Sequence, residues 1–211
     1  MIARLGLCSS YSLLYGVRRS RELIDKVKVL GTDVVCIADR DNLYGLPAYL
    51  EKAKEAGLRP VIGVCLTIEN HGTVYCFVQS REGYSRLCEI LTVRNRDKKN
   101  YNPLALLREN SSGLILASAD TQVLEALAGR VKRLYGAITP DTIGAAGITR
   151  RLHIPLAFLD TSLFLEQEDY KTHRVLRAIG LNKTVGSLKP EDIAAEGSHV
   201  LQDSEALHRR L

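Results

Sequence analysis

The stretch DVVCIADRDNLYGLPAYLEKAKEAGLRPVIGVCL, residues 33–66, decides the fold class. It opens on Asp33 to Ala38, a continuously apolar, β-branched run of the kind expected in a strand buried on both faces. Leu46 to Ala56 reads as a helix that Gly57 can stop, and Pro60 to Leu66 reads as the next strand. Upstream, Leu5 to Cys8 reads as a first strand. Ser20 then opens a helix with Glu22 in its first turn, Leu23, Ile24, Val27 and Leu30 on one face, and Gly31 at its end. The order is β-α-β-α-β with short loops, which predicts parallel strands joined by crossover helices.

The alternation continues downstream. His71-Gly72 reads as a turn, Val74 to Val78 as a strand and Tyr84 to Val93 as a helix. The polar, basic stretch from Arg94 to Asn102 is expected to be a loop or a solvated helix end. Leu114 to Ala117 and Val131 to Ala137 read as strands, with a helix between them at Gln122 to Leu127. Pro140 is expected to start a helix, Pro155 to Leu159 to form a late strand and Tyr170 to Ile179 a late helix. Ser204 to Leu211 starts like a helix and stops after about two turns, which fits either a frayed tail or a chain cut from something longer. With no Gly/Ser/Pro-rich linker, residues 1–211 are expected to form a single α/β domain, a closed barrel being one form it could take.

With 45% hydrophobic and 25% charged residues, the 211-residue chain has the composition of a soluble globular protein, which excludes global disorder. No run approaches the ~18 apolar residues of a membrane helix, and Met1 to Leu7 lacks a signal-peptide pattern. None of the five cysteines (8, 36, 65, 76, 88) forms C-x-x-C, and most sit in apolar runs, so a reducing cytoplasm is the expected compartment. A net charge of +5 suits a nucleic acid partner and equally a mildly basic surface.

Strand C-terminal ends are where β/α folds gather chemistry, and four such ends carry Cys8, Asp39-Arg40, Cys65 and Asp160. Two acids and two thiols could in principle hold zinc, although Asp39 could equally cap the next helix or turn. The five histidines (71, 153, 173, 199, 208) form neither H-x-H nor H-E-x-x-H, and a lone histidine on a helix is usually structural. No phosphate-loop or dinucleotide glycine pattern is present, and Ser9, Ser10 and Ser12 have no base nearby in sequence. Arg94, Arg96, Lys98 and Lys99, with Tyr101 beside them, could meet a phosphate backbone and a base, or could be a solvated loop.

The blocks SSYSLLYG (9–16), ADRDNLYGLPAYLEKAKEAGLRPVIGV (38–64) and the weaker FVQSREGYSRL (77–87) resemble the polymerase and histidinol phosphatase (PHP) domain. The version they resemble stands at the N-terminus of bacterial DNA polymerase III alpha subunits and their error-prone paralogues. IPLAFLD (154–160) and DYKTHRVLRAI (169–179) match it loosely. The resemblance implies a distorted seven-stranded β/α barrel. In active members two or three metal ions, held by histidines and carboxylates, hydrolyse phosphoesters, in some as a 3′–5′ exonuclease. It also implies a parent chain that is a DNA-directed DNA polymerase, whose two-metal palm carboxylates are not in these residues, so the fragment itself is not expected to polymerise.

Set against the family pattern, the metal-ligand positions have changed. The two histidines of the opening H-x-H are Gly6 and Cys8, the histidine after Asp39 is Arg40, and the glutamate after the I-G step is Cys65. The late N-D-x-H pattern keeps Asp160 but has Ser162 in place of its histidine. The expectation is a vestigial metal pocket made of Gly6, Cys8, Asp39, Arg40, Cys65, Asp160 and Ser162, with no metal cofactor and no catalysis. Arg40 is expected to pair with Asp39, Asp160 or both, as a guanidinium in place of the lost cation. The expected role is structural or partner-docking. The expected partners are the rest of the polymerase chain, other replication or repair proteins and, weakly and through Arg94 to Lys99, DNA; no membrane is expected. The alternative is an active metal-dependent phosphoesterase or exonuclease with divalent ions on Cys8, Asp39, Cys65 and Asp160.

Overall fold

The computed structural model describes residues 2–69, 72–140, 142, 144–197 and 199–203. His71 and the tail read at Ser204 to Leu211 lie outside the described residues. In chain order the elements are β1 (Ala3–Leu7), α1 (Ser20–Val29), β2 (Val34–Ile37), α2 (Leu46–Glu55), β3 (Arg59–Pro60), β4 (Gly63–Thr67), β5 (Thr73–Val78) and α3 (Arg81–Arg96). They continue with α4 (Pro103–Glu109), β6 (Leu114–Ser118), α5 (Thr121–Leu127), β7 (Leu134–Ile138), α6 (Ala145–Leu152), β8 (Leu156–Phe158) and α7 (Asp169–Leu181). The chain divides into two compact units, residues 1–61 with 160–211, and residues 62–159. No helix among the described residues is long and apolar enough to cross a membrane.

The first unit carries a parallel sheet in the order β1-β2-β3. All four residues of β2 are buried, as its apolar run requires. Leu23, Ile24 and Val27 of α1 are fully buried together with Val35 of β2. Each such side chain contributes roughly 1.5–3 kcal/mol of burial free energy. At the start of α1 the Glu22 carboxylate accepts the Arg19 backbone N–H, satisfying one of the donors a helix N-terminus leaves open. Beyond α1, Gly31 takes the left-handed conformation expected of a helix stop.

The second unit is a five-stranded sheet in the order β4-β5-β6-β7-β8, antiparallel from β4 to β6 and parallel from β6 to β8. Burial pushes the Cys36 thiol of the first unit and the Cys76 thiol of the second well above the ordinary range, so both pack as small apolar groups.

Three readings are corrected. The single strand expected over Pro60 to Leu66 divides: β3 pairs with β2, and β4 belongs to the other sheet, antiparallel to β5. Pro140 does not begin a helix; Thr139 and Thr142 form a bridge and α6 starts at Ala145. The extra helix α4 follows the basic stretch, with the Asn102 side chain accepting the Ala105 N–H and Pro103 in its first turn. The sheets contain three and five strands, and neither closes on itself.

Candidate functional site

The residues of the expected vestigial pocket gather, with one exception, in the first unit around the ends of β1 and β2. The exception is Cys65, which lies in β4 of the second unit and is buried there. Gly6 lies where the β1–β2 register slips between Leu5 and Leu7, with φ 107°. Position 6 is therefore a bulge that favours glycine, and a histidine there would be strained as well as newly introduced.

Asp39 stands just past β2 and is almost fully buried. One carboxylate oxygen accepts the Ser9 backbone N–H at 2.8 Å and the Ser12 hydroxyl at 2.7 Å; the other accepts the Ser9 hydroxyl at 2.7 Å. Burial pushes the Asp39 carboxyl up from its ordinary value, against the pull of those hydrogen bonds from Ser12 and Ser9. Ser12 is the hub of this cluster: its Oγ also accepts the Arg40 backbone N–H at 2.9 Å and lies 3.0 Å from Cys8 Sγ.

Asp160 is held differently. Arg4 Nη1 donates to its Oδ2 at 2.6 Å, and both side chains are 1% exposed. The rest of the Arg4 fork is also used, Nε donating to Thr32 Oγ1 and Nη2 to the Gln202 carbonyl. The other Asp160 oxygen accepts the Ser162 hydroxyl at 2.5 Å and the Ser162 N–H at 3.2 Å. The Cys8 N–H donates to the Ser162 carbonyl at 3.1 Å, tying the two aspartate clusters together.

The expected pairing of Arg40 is corrected here. Asp160 has Arg4 as its ion-pair partner, while the Arg40 guanidinium lies over the Tyr15 ring with Cζ 3.5 Å from its centre. Arg177 of α7 approaches the same ring at 5.3 Å. The Arg40 side chain turns to the Tyr15 ring, whereas Arg4, inside β1, is fully buried.

One further residue escaped sequence reasoning. Arg4 sits at the start of an apolar run, where a charge reads as solvent-facing, and its carboxylate partner is far away in sequence. His173 of α7 is fully buried: it bonds the Tyr15 carbonyl through Nδ1 at 2.7 Å, and Nε2 accepts the Ala194 N–H at 3.1 Å. Because Nε2 accepts, Nδ1 carries the proton and the ring is neutral. Burial lowers its pKa to about 4, helped by the nearby cations Arg177 and Arg40. His173 is thus a structural clasp between α7 and the loop after β1, with no nitrogen left for a metal.

Among the described residues no three His, Cys, Asp or Glu side chains stand together as a metal-holding group. The donor set does not fit the metal cluster that the resemblance implies. Asp160 is neutralised by Arg4, Asp39 is fully engaged by the two serines, and Gly6 offers no donor.

Residues 5–145 match the PHP domain family. The chain belongs to the PHP domain family. Its PHP sequence is 28% identical over 155 residues to error-prone DNA polymerase 1 of Agrobacterium fabrum, spanning 71% of this chain and 14% of that protein. It is 24% identical over 212 residues to the DNA polymerase III alpha subunit of Pseudomonas fluorescens, spanning 83% of this chain and 18% of that one. The chain thus covers less than a fifth of the length of either polymerase. A candidate metal-dependent phosphoesterase from Bifidobacterium adolescentis has a similar fold, with a TM-score of 0.53 over 99% of this chain and 94% of its own, at 13% identity.

Proposed function

We propose that this PHP domain is a non-catalytic module of a DNA polymerase III alpha-like or error-prone polymerase chain. In this reading the domain buttresses the polymerase region and docks replication or repair proteins. The observation that carries this reading is that the carboxylates of Asp39 and Asp160 are already occupied by the chain's own donors: Ser9, Ser12, Arg4 and Ser162. A carboxylate bonded in this way has to give up those partners before it can bind a dication. Without a metal-activated water, phosphoester hydrolysis at neutral pH lacks its nucleophile.

The test is an exonuclease and phosphoesterase assay of the 211-residue chain with magnesium, manganese, zinc and iron(II). No turnover above buffer is expected with any ion. Turnover that follows the protein through purification and disappears in Asp39→Asn would establish instead the altered-ligand phosphoesterase built on Cys8, Asp39, Cys65 and Asp160.

A further inference from the structure

The second unit contains a cleft of about 440 Å³ lined by Arg108, Ser111, Gly113, Arg130, Lys132 and Arg133 among others. It opens at the start of β6 and β7, which run parallel, so it lies at the end of these strands opposite Ser118 and Ile138. The cleft belongs to the second unit, whereas Asp39 and Asp160 belong to the first.

The cleft is cationic and its charge is uncompensated. Among the described residues, Arg108, Arg130, Lys132 and Arg133 have no carboxylate within ion-pair distance. The one acid in the lining, Glu109, faces Arg86 at 3.8 Å. All four cations are exposed, so their charge meets solvent at the cleft rather than being buried in the fold. Arg108 is oriented by its Nε, which donates to the Ala126 carbonyl at 2.8 Å.

The wall between these cations is stiff. The Gln79 N–H donates to the Gly113 carbonyl at 2.8 Å, and Ser80 caps α3 by accepting the Gly83 N–H. Gly83 is pressed so closely on Gly113 that a Cβ at position 83 would lie 1.9 Å from the Gly113 oxygen. Four cations lining one cleft, with a single acid among the lining residues, suit an anion bearing several negative oxygens.

We propose that this cleft binds phosphate groups, carried either on a polynucleotide strand or on a free polyphosphate. It is distinct from the basic stretch at Arg94 to Lys99. Gln79 lies just before α3 and Arg96 ends it, so the helix, at 16 residues, separates the two by ~24 Å. It is also independent of the proposed loss of catalysis, so either can fail without the other.

The experiment measures binding to the 211-residue chain of a labelled twelve-nucleotide oligothymidylate by fluorescence anisotropy and of inorganic tripolyphosphate by calorimetry. At least one probe binds at low salt, and its affinity falls steeply as salt rises. Replacing Arg130, Lys132 and Arg133 together with Ala weakens that binding about tenfold or more and flattens the salt slope by about two to three. Thermal melting of this variant stays unchanged, because the three side chains lie on the surface. Binding confined to the oligonucleotide identifies a polynucleotide as the source of the phosphates; binding of tripolyphosphate identifies a free polyphosphate. The proposal is overturned if neither probe binds, if the triple variant binds like the wild type, or if only Arg96→Ala/Lys98→Ala/Lys99→Ala abolishes binding.

Discussion

Asp39 and Asp160 stand in matching places, each just past a parallel strand and each almost fully buried, yet they are held by different chemistry. Asp160 faces a guanidinium: the Arg4 fork closes on it and on Thr32 and Gln202. Asp39 faces two hydroxyls and a backbone N–H, with its carboxyl pushed up by burial. A buried negative charge can thus be accommodated by a matching charge or by dipoles. The first arrangement stores a large penalty for breaking it; the second lets the charge itself be given up cheaply.

The largest effect that follows is on Arg4. Arg4→Ala leaves the Asp160 carboxylate without its counter-charge and the Gln202 carbonyl without its Arg4 donor, and urea denaturation should show a loss of roughly 3–5 kcal/mol. A double-mutant cycle with Asp160→Asn should give a coupling of at least about 2 kcal/mol. Coupling near zero would mean that the pair is only a neighbourly contact.

The aspartates themselves should separate next. Asp160→Asn strands a buried guanidinium and should cost about 3 kcal/mol. Asp39→Asn should cost only about 1 kcal/mol, because the amide can still accept from the Ser9 N–H and the hydroxyls can turn to meet its NH₂. Equal losses for the two would erase the contrast.

His173 gives a pH test within the same unit. Its folded pKa of about 4 lies below the ordinary 6.5, so between those values the unfolded chain binds a proton that the folded chain does not. Its contribution is full above about pH 6.5 and is lost as the pH falls toward about 4, a loss on the order of 3 kcal/mol. Asp39 works in the opposite sense. Its raised folded pKa contributes stability at acidic pH, which is lost as the pH rises above the ordinary carboxylate range. Stability measured from pH 4 to 7 should rise less steeply in His173→Gln than in the wild type. An unchanged slope would show that the histidine is not the titrating group.

Arg40 should matter least. Its guanidinium lies on the Tyr15 ring at a half-buried position, so Arg40→Ala should cost about 0.5–1 kcal/mol. A loss of 3 kcal/mol would return Arg40 to the role that the structure gives to Arg4.

These contrasts show which parts of the molecule the chain order makes legible. β2, α1 and α2 can be read because burial and periodicity are local properties, visible in DVVCIA and in Leu23, Ile24 and Val27. The division of β3 from β4 cannot, because Pro60 to Leu66 is one apolar run and only pairing with β2 or β5 distinguishes its halves. The α4 helix carried a signal in Asn102-Pro103, an N-cap followed by a first-turn proline, overshadowed by the basic stretch before it. In the candidate site Gly6, Cys8, Arg40 and Ser162 could be singled out by their positions in the chain. The partners could not: Arg4 and Asp160 are 156 positions apart in sequence, and Arg40 has an aromatic partner in Tyr15. Charge alone favoured an Arg40–aspartate bridge, and side-chain direction decided against it.

The central claim is that the chain's own donors occupy the carboxylates of Asp39 and Asp160. The most direct test is elemental analysis of the 211-residue chain after incubation with excess zinc or manganese and removal of unbound ion. The expected result is well below one metal per chain. A stoichiometry of one or more per chain that is lost in both Asp39→Asn and Asp160→Asn would contradict it.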